Sequence, residues 1–207
     1  MKNTFSKGFT LVELLIVITI LAALAAAVVV VLNPAELLAQ ARDSQRLNDM
    51  GVVRDALALY LTQGVTAGNI IDLSFAGACS VVGTNDGCCT HTACPIGPFA
   101  QTSTPRPNLR AVDGSGWIDV NFNQMLGGSP LSTLPMDPTN NAIFNYHYIA
   151  GATHPEVSFE LNARLESERY RGMMINDGGN RSVCEGAWTA TTCFYEVGND
   201  PGLDLGA

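Results

Sequence analysis

The sequence of 207 residues predicts an α+β fold, with a long bent N-terminal helix packed on a small antiparallel sheet and a disulfide-bearing loop region between them. Three observations predict it. An apolar run near the N-terminus passes into a stretch whose apolar residues recur at helical spacing. Two segments beyond residue 140 alternate apolar and polar residues, as half-buried strands do. Six cysteines lie outside the apolar run. A chain of this length accommodates one folded domain and an anchor, and is short for two full domains.

Residues 1–8 read MKNTFSKG and are short, polar and basic. FTLVE follows, then LLIVITILAALAAAVVVVL from Leu14 to Leu32, with Thr19 as its only polar member. At about 1.5 Å per residue the run spans roughly 28 Å as a helix, near the hydrocarbon thickness of a bilayer. Lys2 and Lys7 on its N-terminal side predict that this end is cytoplasmic and that the rest of the chain lies outside. Glu13 is the anomaly, because a carboxylate at the lip of an apolar helix is costly to bury. It either sits solvated at headgroup level, where the helix dipole favours an anion, or pairs with a positive charge inside an assembly. A secretory signal peptide cut after Ala25-Ala26-Ala27 is the competing reading. Against it, Glu13 opens the apolar core, and the apolar run and the helical pattern both continue past that point.

The stretch KGFTLVELLIVITILAALAA resembles the N-terminal signature of type IV pilins and type II secretion pseudopilins. The resemblance implies cleavage by a prepilin peptidase between Gly8 and Phe9 and N-methylation of Phe9. It places Glu13 on the glutamate that neutralises a neighbouring subunit's N-terminal amine during assembly. Two mutually neutralised charges are tolerated in an apolar bundle where one alone is not. The partners implied are the peptidase, the membrane before assembly, an inner-membrane assembly platform, and the chain itself with other pilins in a helical filament. The function implied is that of a structural subunit, not an enzyme, supporting adhesion, motility, DNA uptake or protein secretion. A minor tip-located pilin that binds a ligand, or the major pseudopilin of a type II secretion system, are the alternatives. The precursor is expected in the cytoplasmic membrane with its head outside, and later in an extracellular or periplasmic filament. The organisation that follows is a leader at 1–8, an N-terminal helix at 9–62 and a head at 63–207. The helix has a membrane and assembly half at 14–32 and an amphipathic half at 35–62.

Asn33-Pro34 interrupts the apolar run, and a proline inside a helix removes one backbone bond and bends it. Beyond it, Leu47, Met50, Val53, Leu57 and Tyr60 form one apolar face. Asp43, Arg46 and Asp49 recur at threes on the other side, as solvated ion pairs do. One bent helix from about Phe9 to Leu61 is expected. From Gly64 to about Gly116 the chain is rich in Gly, Thr, Pro, Asn and Cys and reads as a long loop, with a short element near 70–75. A short helix is expected over 117–125 and a turn region over 132–141. IFNYHYI at 143–149 puts Phe144, Tyr146 and Tyr148 on one strand face. EVSFELNARLE at 156–166 puts Val157, Phe159, Leu161 and Ala163 inward, and Ser158, Glu160, Asn162 and Arg164 outward. A third strand is expected over 193–197. The LPMDP segment from Leu134 to Pro138 resembles a segment of major pseudopilins and related bacterial pilins, and LNARLES…YRGMMINDGGN…YEVG resembles C-terminal sequences of pilin-like proteins.

Cys79, Cys88, Cys89 and Cys94 form one cluster and Cys184 and Cys193 another. Outside the cytoplasm an even count reads as disulfides. Six cysteines allow fifteen pairings. Local closure favours Cys184 with Cys193, and Cys79 and Cys94 each with one of the adjacent pair. A zinc site using His91 lacks the usual CxxC spacing. Calcium is possible by resemblance to major pseudopilins, with Asp137, Asp177 and Asn180 as oxygen ligands beside Asn140 and Asn141. Turn chemistry explains the same residues.

The formal charge is −8, and both lysines precede Gly8, so removing the leader leaves −10. An acidic body repels nucleic-acid phosphates on average and argues against broad nucleic-acid binding. Arg164, Arg169, Arg171 and Arg181 offer a local anion site or a solvated face. No phosphate loop, HExxH or nucleophile elbow is present, and His147 and His154 have no neighbouring nucleophile in the sequence. Asn180-Arg181-Ser182 matches a glycosylation acceptor.

Overall fold

A computed structural model describes residues 8–63, 88–89, 110–118, 120–141, 143–151, 158–184, 193–199 and 202–203. The chain divides into two compact units, Met1–Ala39 and Gln40–Ala207.

The first unit contains helix α1, Leu11–Leu32. Thr10 caps it in an extended conformation, and its Oγ accepts from the Glu13 backbone N–H at 3.2 Å. Thr19, the single polar residue of the run, donates its hydroxyl to the Ile16 carbonyl at 2.8 Å. That bond satisfies its polar group within the helix. The helix ends at Asn33, whose φ of 39° is left-handed, a conformation asparagine tolerates better than most residues. Pro34 then opens helix α2, Pro34–Gln63. Proline suits a first helical position, where its missing N–H is no loss. The Asn33 carbonyl accepts from Glu36 and Leu37. The single helix expected from Phe9 to Leu61 is therefore two. Asn33 and Pro34 stop one hydrogen-bond ladder and start another.

In the second unit, α2 buries Met50, Val53, Ala56, Leu57 and Tyr60 against the inner sheet face, which presents Tyr146, Tyr148, Phe159, Leu161 and Ala163. The sheet has the order β1 (Cys88–Cys89), β2 (His147–Gly151), β3 (Ser158–Ala163) and β4 (Tyr195–Gly198), all antiparallel. The two-residue β1 falls in the segment expected as loop. Trp117, Ile118, Val120, Phe122 and Leu134 complete the core from irregular chain. Of the helix expected over 117–125, the described residues form only the 3-10 turn Phe122–Gln124. Trp117 instead donates its indole N–H to the Pro135 carbonyl at 2.9 Å. The short element expected near 70–75 and the loop joining β2 to β3 lie outside the described residues.

The outer sheet face departs most from expectation. Ser158, Glu160, Asn162 and Arg164 are buried, not outward in solvent. The C-terminal segment folds across them. Arg164 stacks its guanidinium 4.5 Å from the Phe194 ring centre and donates to the Cys193 carbonyl. His147 meets Phe194 edge to face. Cys184 and Cys193 are disulfide-bonded, and a bridge between Ser182 and Cys193 continues the pairing.

Candidate functional site: the N-terminal helix start and the ion cluster of the head

The start of α1 is a capping box. Glu13 folds its carboxylate back on Thr10, accepting from the Thr10 N–H at 2.9 Å and from its hydroxyl at 2.8 Å. Two donors that would otherwise lack partners at a helix start are thereby engaged. Gly8 has open space around it, and Phe9 is 78% exposed. From Leu11 to Val29 the helix is long and apolar enough to cross a membrane, and its side chains are exposed all round. A helix that is apolar on every side needs a lipid or protein environment.

In the head, Asp43 and Arg46 are fully buried, not solvated. Arg46 uses all its donors. Its Nε and Nη2 grip Asp137 at 2.7 and 3.0 Å, Nη1 reaches Asp43 and Glu166 at 2.7 Å each, and Nη2 also reaches the Thr139 hydroxyl at 3.0 Å. Its guanidinium lies 4.8 Å from the Phe144 ring centre. Arg42 forks onto Glu166 at 2.6 and 2.9 Å. Asp43 accepts from the Ser167 N–H and hydroxyl and from the Glu166 N–H. Ser167 in turn caps helix α3, Glu168–Arg171. Asp49 accepts from the Tyr146 hydroxyl at 2.8 Å. Burial opposes the charge on Arg46, but Asp137, Glu166 and Asp43 outweigh it and raise its pKa. Burial pushes Glu166 up, and the two arginines more than reverse that and hold it below its ordinary value. Three carboxylates and two guanidiniums thus fix α2 to the turn at 137–139 and to the strand exit at 166–167. The cluster went unread in the sequence because spacing by threes on a polar helix face normally means solvent. The signal that marks it is Asp137 in a proline-flanked turn.

The calcium expectation meets a donor set already in use. Asp137 holds Arg46 and accepts from the Thr139 and Asn140 N–H groups. Asp177 accepts from the Gly179 and Glu196 N–H groups. Asn180 is exposed. Among the described residues no group of three or more His, Cys, Asp or Glu could hold a metal. Asp137 and Asp177 therefore both take part in turn hydrogen bonding. The four arginines of the proposed anion site are each engaged within the head. Arg164 and Arg181 are buried, Arg171 donates to the Glu166 carbonyl, and Arg169 lies over Tyr170. Cys184 with Cys193 forms as expected. The pairing of Cys79, Cys88, Cys89 and Cys94 lies outside the described residues, as do His91 and His154.

An apolar helix with a capped start, long and apolar enough to cross a membrane, is joined in sequence to a head of sheet and helix, and together they define an α+β protein. Residues 4–29 match the family model of the prokaryotic N-terminal methylation motif, the signature of type IV pilins and pseudopilins. It is a signature of structural subunits and is consistent with a membrane-anchored precursor that a prepilin peptidase processes. No curated protein and no solved structure matches the chain.

Proposed function

We propose that this chain is the repeating structural subunit of a type IV pilus-like filament. It is held in the cytoplasmic membrane through α1, cut between Gly8 and Phe9, methylated at Phe9, and assembled with its head outside. The methylation motif over residues 4–29 carries this reading. The physical support is that α1 exposes apolar side chains on all sides. A bilayer covers such a helix before assembly, and a bundle of like helices covers it afterwards. Glu13 supplies the charge that makes the bundle selective. The amine created on Phe9 sits within four residues of that carboxylate in sequence, and the matching amine of a neighbouring subunit competes for it.

The test is to co-express the chain with a prepilin peptidase and read the mature N-terminus by mass spectrometry. N-methylated Phe9 as the first residue supports the pathway. A start near Val28 would mean a secreted soluble domain and would end the filament reading. Sheared filaments should contain this chain as the dominant protein. A scarce chain would be a tip subunit instead.

A further inference from the structure

On the outer sheet face, His147, Asn162 and Glu196 stand in one row. His147 pairs with Asn162 across β2 and β3, and Asn162 pairs with Glu196 across β3 and β4. All three are buried. Paired residues on adjacent strands point to the same face, with Cβ atoms about 5 Å apart. The row is short of donors. Asn162 gives its amide N–H to Glu160 Oε1 at 2.7 Å, while its own Oδ1 accepts nothing among the described residues. Glu196 Oε2 accepts from the Arg181 backbone N–H at 2.9 Å, while its Oε1 also accepts nothing there. Two buried acceptor oxygens on paired residues of neighbouring strands thus have no donor among the described residues. Gly179 packs so closely on the Glu196 carboxyl group that a Cβ built there would collide with it, and Glu196 is buried.

We propose that the folded head holds Glu196 as a neutral carboxylic acid, with its Oε1 proton donated to Asn162 Oδ1, and that the outer face loosens when this proton leaves. One proton converts two unsatisfied acceptors into a donor–acceptor pair, which an ionised carboxylate cannot do. The charged groups around Glu196 are Glu160 on β3, Asp177 and Arg181 in the segment before β4, and His147 and Arg164 further along the face. Burial pushes Glu196 up to about 8, with Glu160 and Asp177 adding to it and Arg181 opposing through its N–H and its charge. Burial, aided by Arg164 and Arg181, pushes His147 down to about 3, so this imidazole is neutral.

The two shifts bracket a pH window. For Glu196 the raised value means stability that is full below the ordinary 4.5 and is lost as pH rises to about 8. For His147 the lowered value means stability that is full above 6.5 and is lost as pH falls toward 3. Between 4.5 and 6.5 the two slopes cancel, and alkali beyond that window weakens the outer face.

The experiment is infrared spectroscopy of the full mature chain in detergent micelles, with isotope-labelled glutamate to pick out glutamate carboxyls. A protonated carboxyl band should be present at pH 6.5, disappear with a midpoint near 8, and be missing in Glu196→Gln but kept in Glu160→Gln. Unfolding by urea gives an independent reading. The wild-type folded-to-unfolded ratio should fall about tenfold per pH unit between 6.5 and about 8, as one proton requires. Glu196→Gln, whose amide donates to Asn162 at any pH, should remove that slope. Absence of the band in the wild type overturns the proposal whether or not the variants fold. So does its loss in Glu160→Gln alone, or an unchanged slope in Glu196→Gln.

Discussion

Arg46 and Asp137, 91 positions apart in the chain, meet as a two-pronged fork with both side chains wholly out of solvent. The fork matters because the groups around it complete the valence of both partners. Every guanidinium N–H has an acceptor, and Asp137 also stops the Thr139 and Asn140 N–H groups from being orphaned. A buried ion pair gains little over an apolar replacement, yet breaking one half leaves an uncompensated charge inside. The cluster therefore specifies where the head sits along α2 more than it adds net stability.

Replacing Arg46 alone should be severe. Arg46→Met leaves Asp43, Asp137 and Glu166 facing one another and should cost about 3–5 kcal/mol in urea unfolding. Arg46→Lys keeps a charge but not the fork, and should recover only part of this. Arg54→Ala removes an exposed pair with Asp55 and should change stability by no more than about 0.5 kcal/mol. Equal losses at Arg46 and Arg54 would contradict the buried network.

Acid should attack the same cluster. Glu166 is held below its ordinary 4.5 by Arg42 and Arg46 acting against burial. The stability it contributes is present above 4.5 and is lost as pH falls through the lowered folded value. Glu166→Gln should make the acid limb of the unfolding midpoint shallower, measured by tryptophan fluorescence from pH 6 downward. An identical limb in variant and wild type would assign acid sensitivity elsewhere.

Tyr146→Phe deletes one hydroxyl and leaves Asp49 half-buried without its donor. Burial already pushes Asp49 up, and the Tyr146 bond opposes that shift. The variant should lose about 1–3 kcal/mol at neutral pH. It should also move the Asp49 titration to higher pH, read by NMR of the carboxyl carbon.

The α+β class, the inner strand face and the helix stripe were legible because apolar periodicity reports burial directly. Phe159, Leu161 and Ala163 alternate as written and face Met50, Val53 and Leu57. The same alternation misread Glu160, Asn162 and Arg164. A polar residue reads as solvated unless a distant segment covers it, and the cover here is Phe194 and the chain around Arg181. Long-range pairing hid the ion cluster in the same way, since Arg46 finds its acceptors near residues 137 and 166. The capping box at the N-terminal start is local, with Thr10 and Glu13 three residues apart, yet it went unread because Glu13 reads in the sequence only as a solvated or a paired charge.

Two glycines should respond with opposite signs. A Cβ on Gly198 would meet the Phe159 carbonyl and Glu160 Cα, backbone atoms that cannot yield without parting β3 from β4. Gly198→Ala should cost about 1–3 kcal/mol. Gly51 lies inside α2 with open space where its Cβ would go. Gly51→Ala should stabilise by roughly 0.5–1 kcal/mol, since alanine loses less backbone freedom in a helix. Paired urea titrations decide both.

Glu13 has two possible jobs, and Thr10 separates them. In the subunit its carboxylate completes the capping box with Thr10. In a filament the same carboxylate is expected to pair with a neighbour's Phe9 amine. Thr10→Ala breaks the box but leaves the charge. Glu13→Ala removes both the charge and the acceptor for the Thr10 N–H. If charge pairing drives assembly, both variants should enter the membrane, but Glu13→Ala should be missing from sheared filaments while Thr10→Ala is incorporated. Mass spectrometry of the filament fraction, normalised to membrane-held subunit, measures this directly. Equal exclusion of both variants would make the capped helix start the requirement. Normal entry of Glu13→Ala would leave Glu13 with a capping role alone, and the apolar surface of α1 would then have to drive assembly without it.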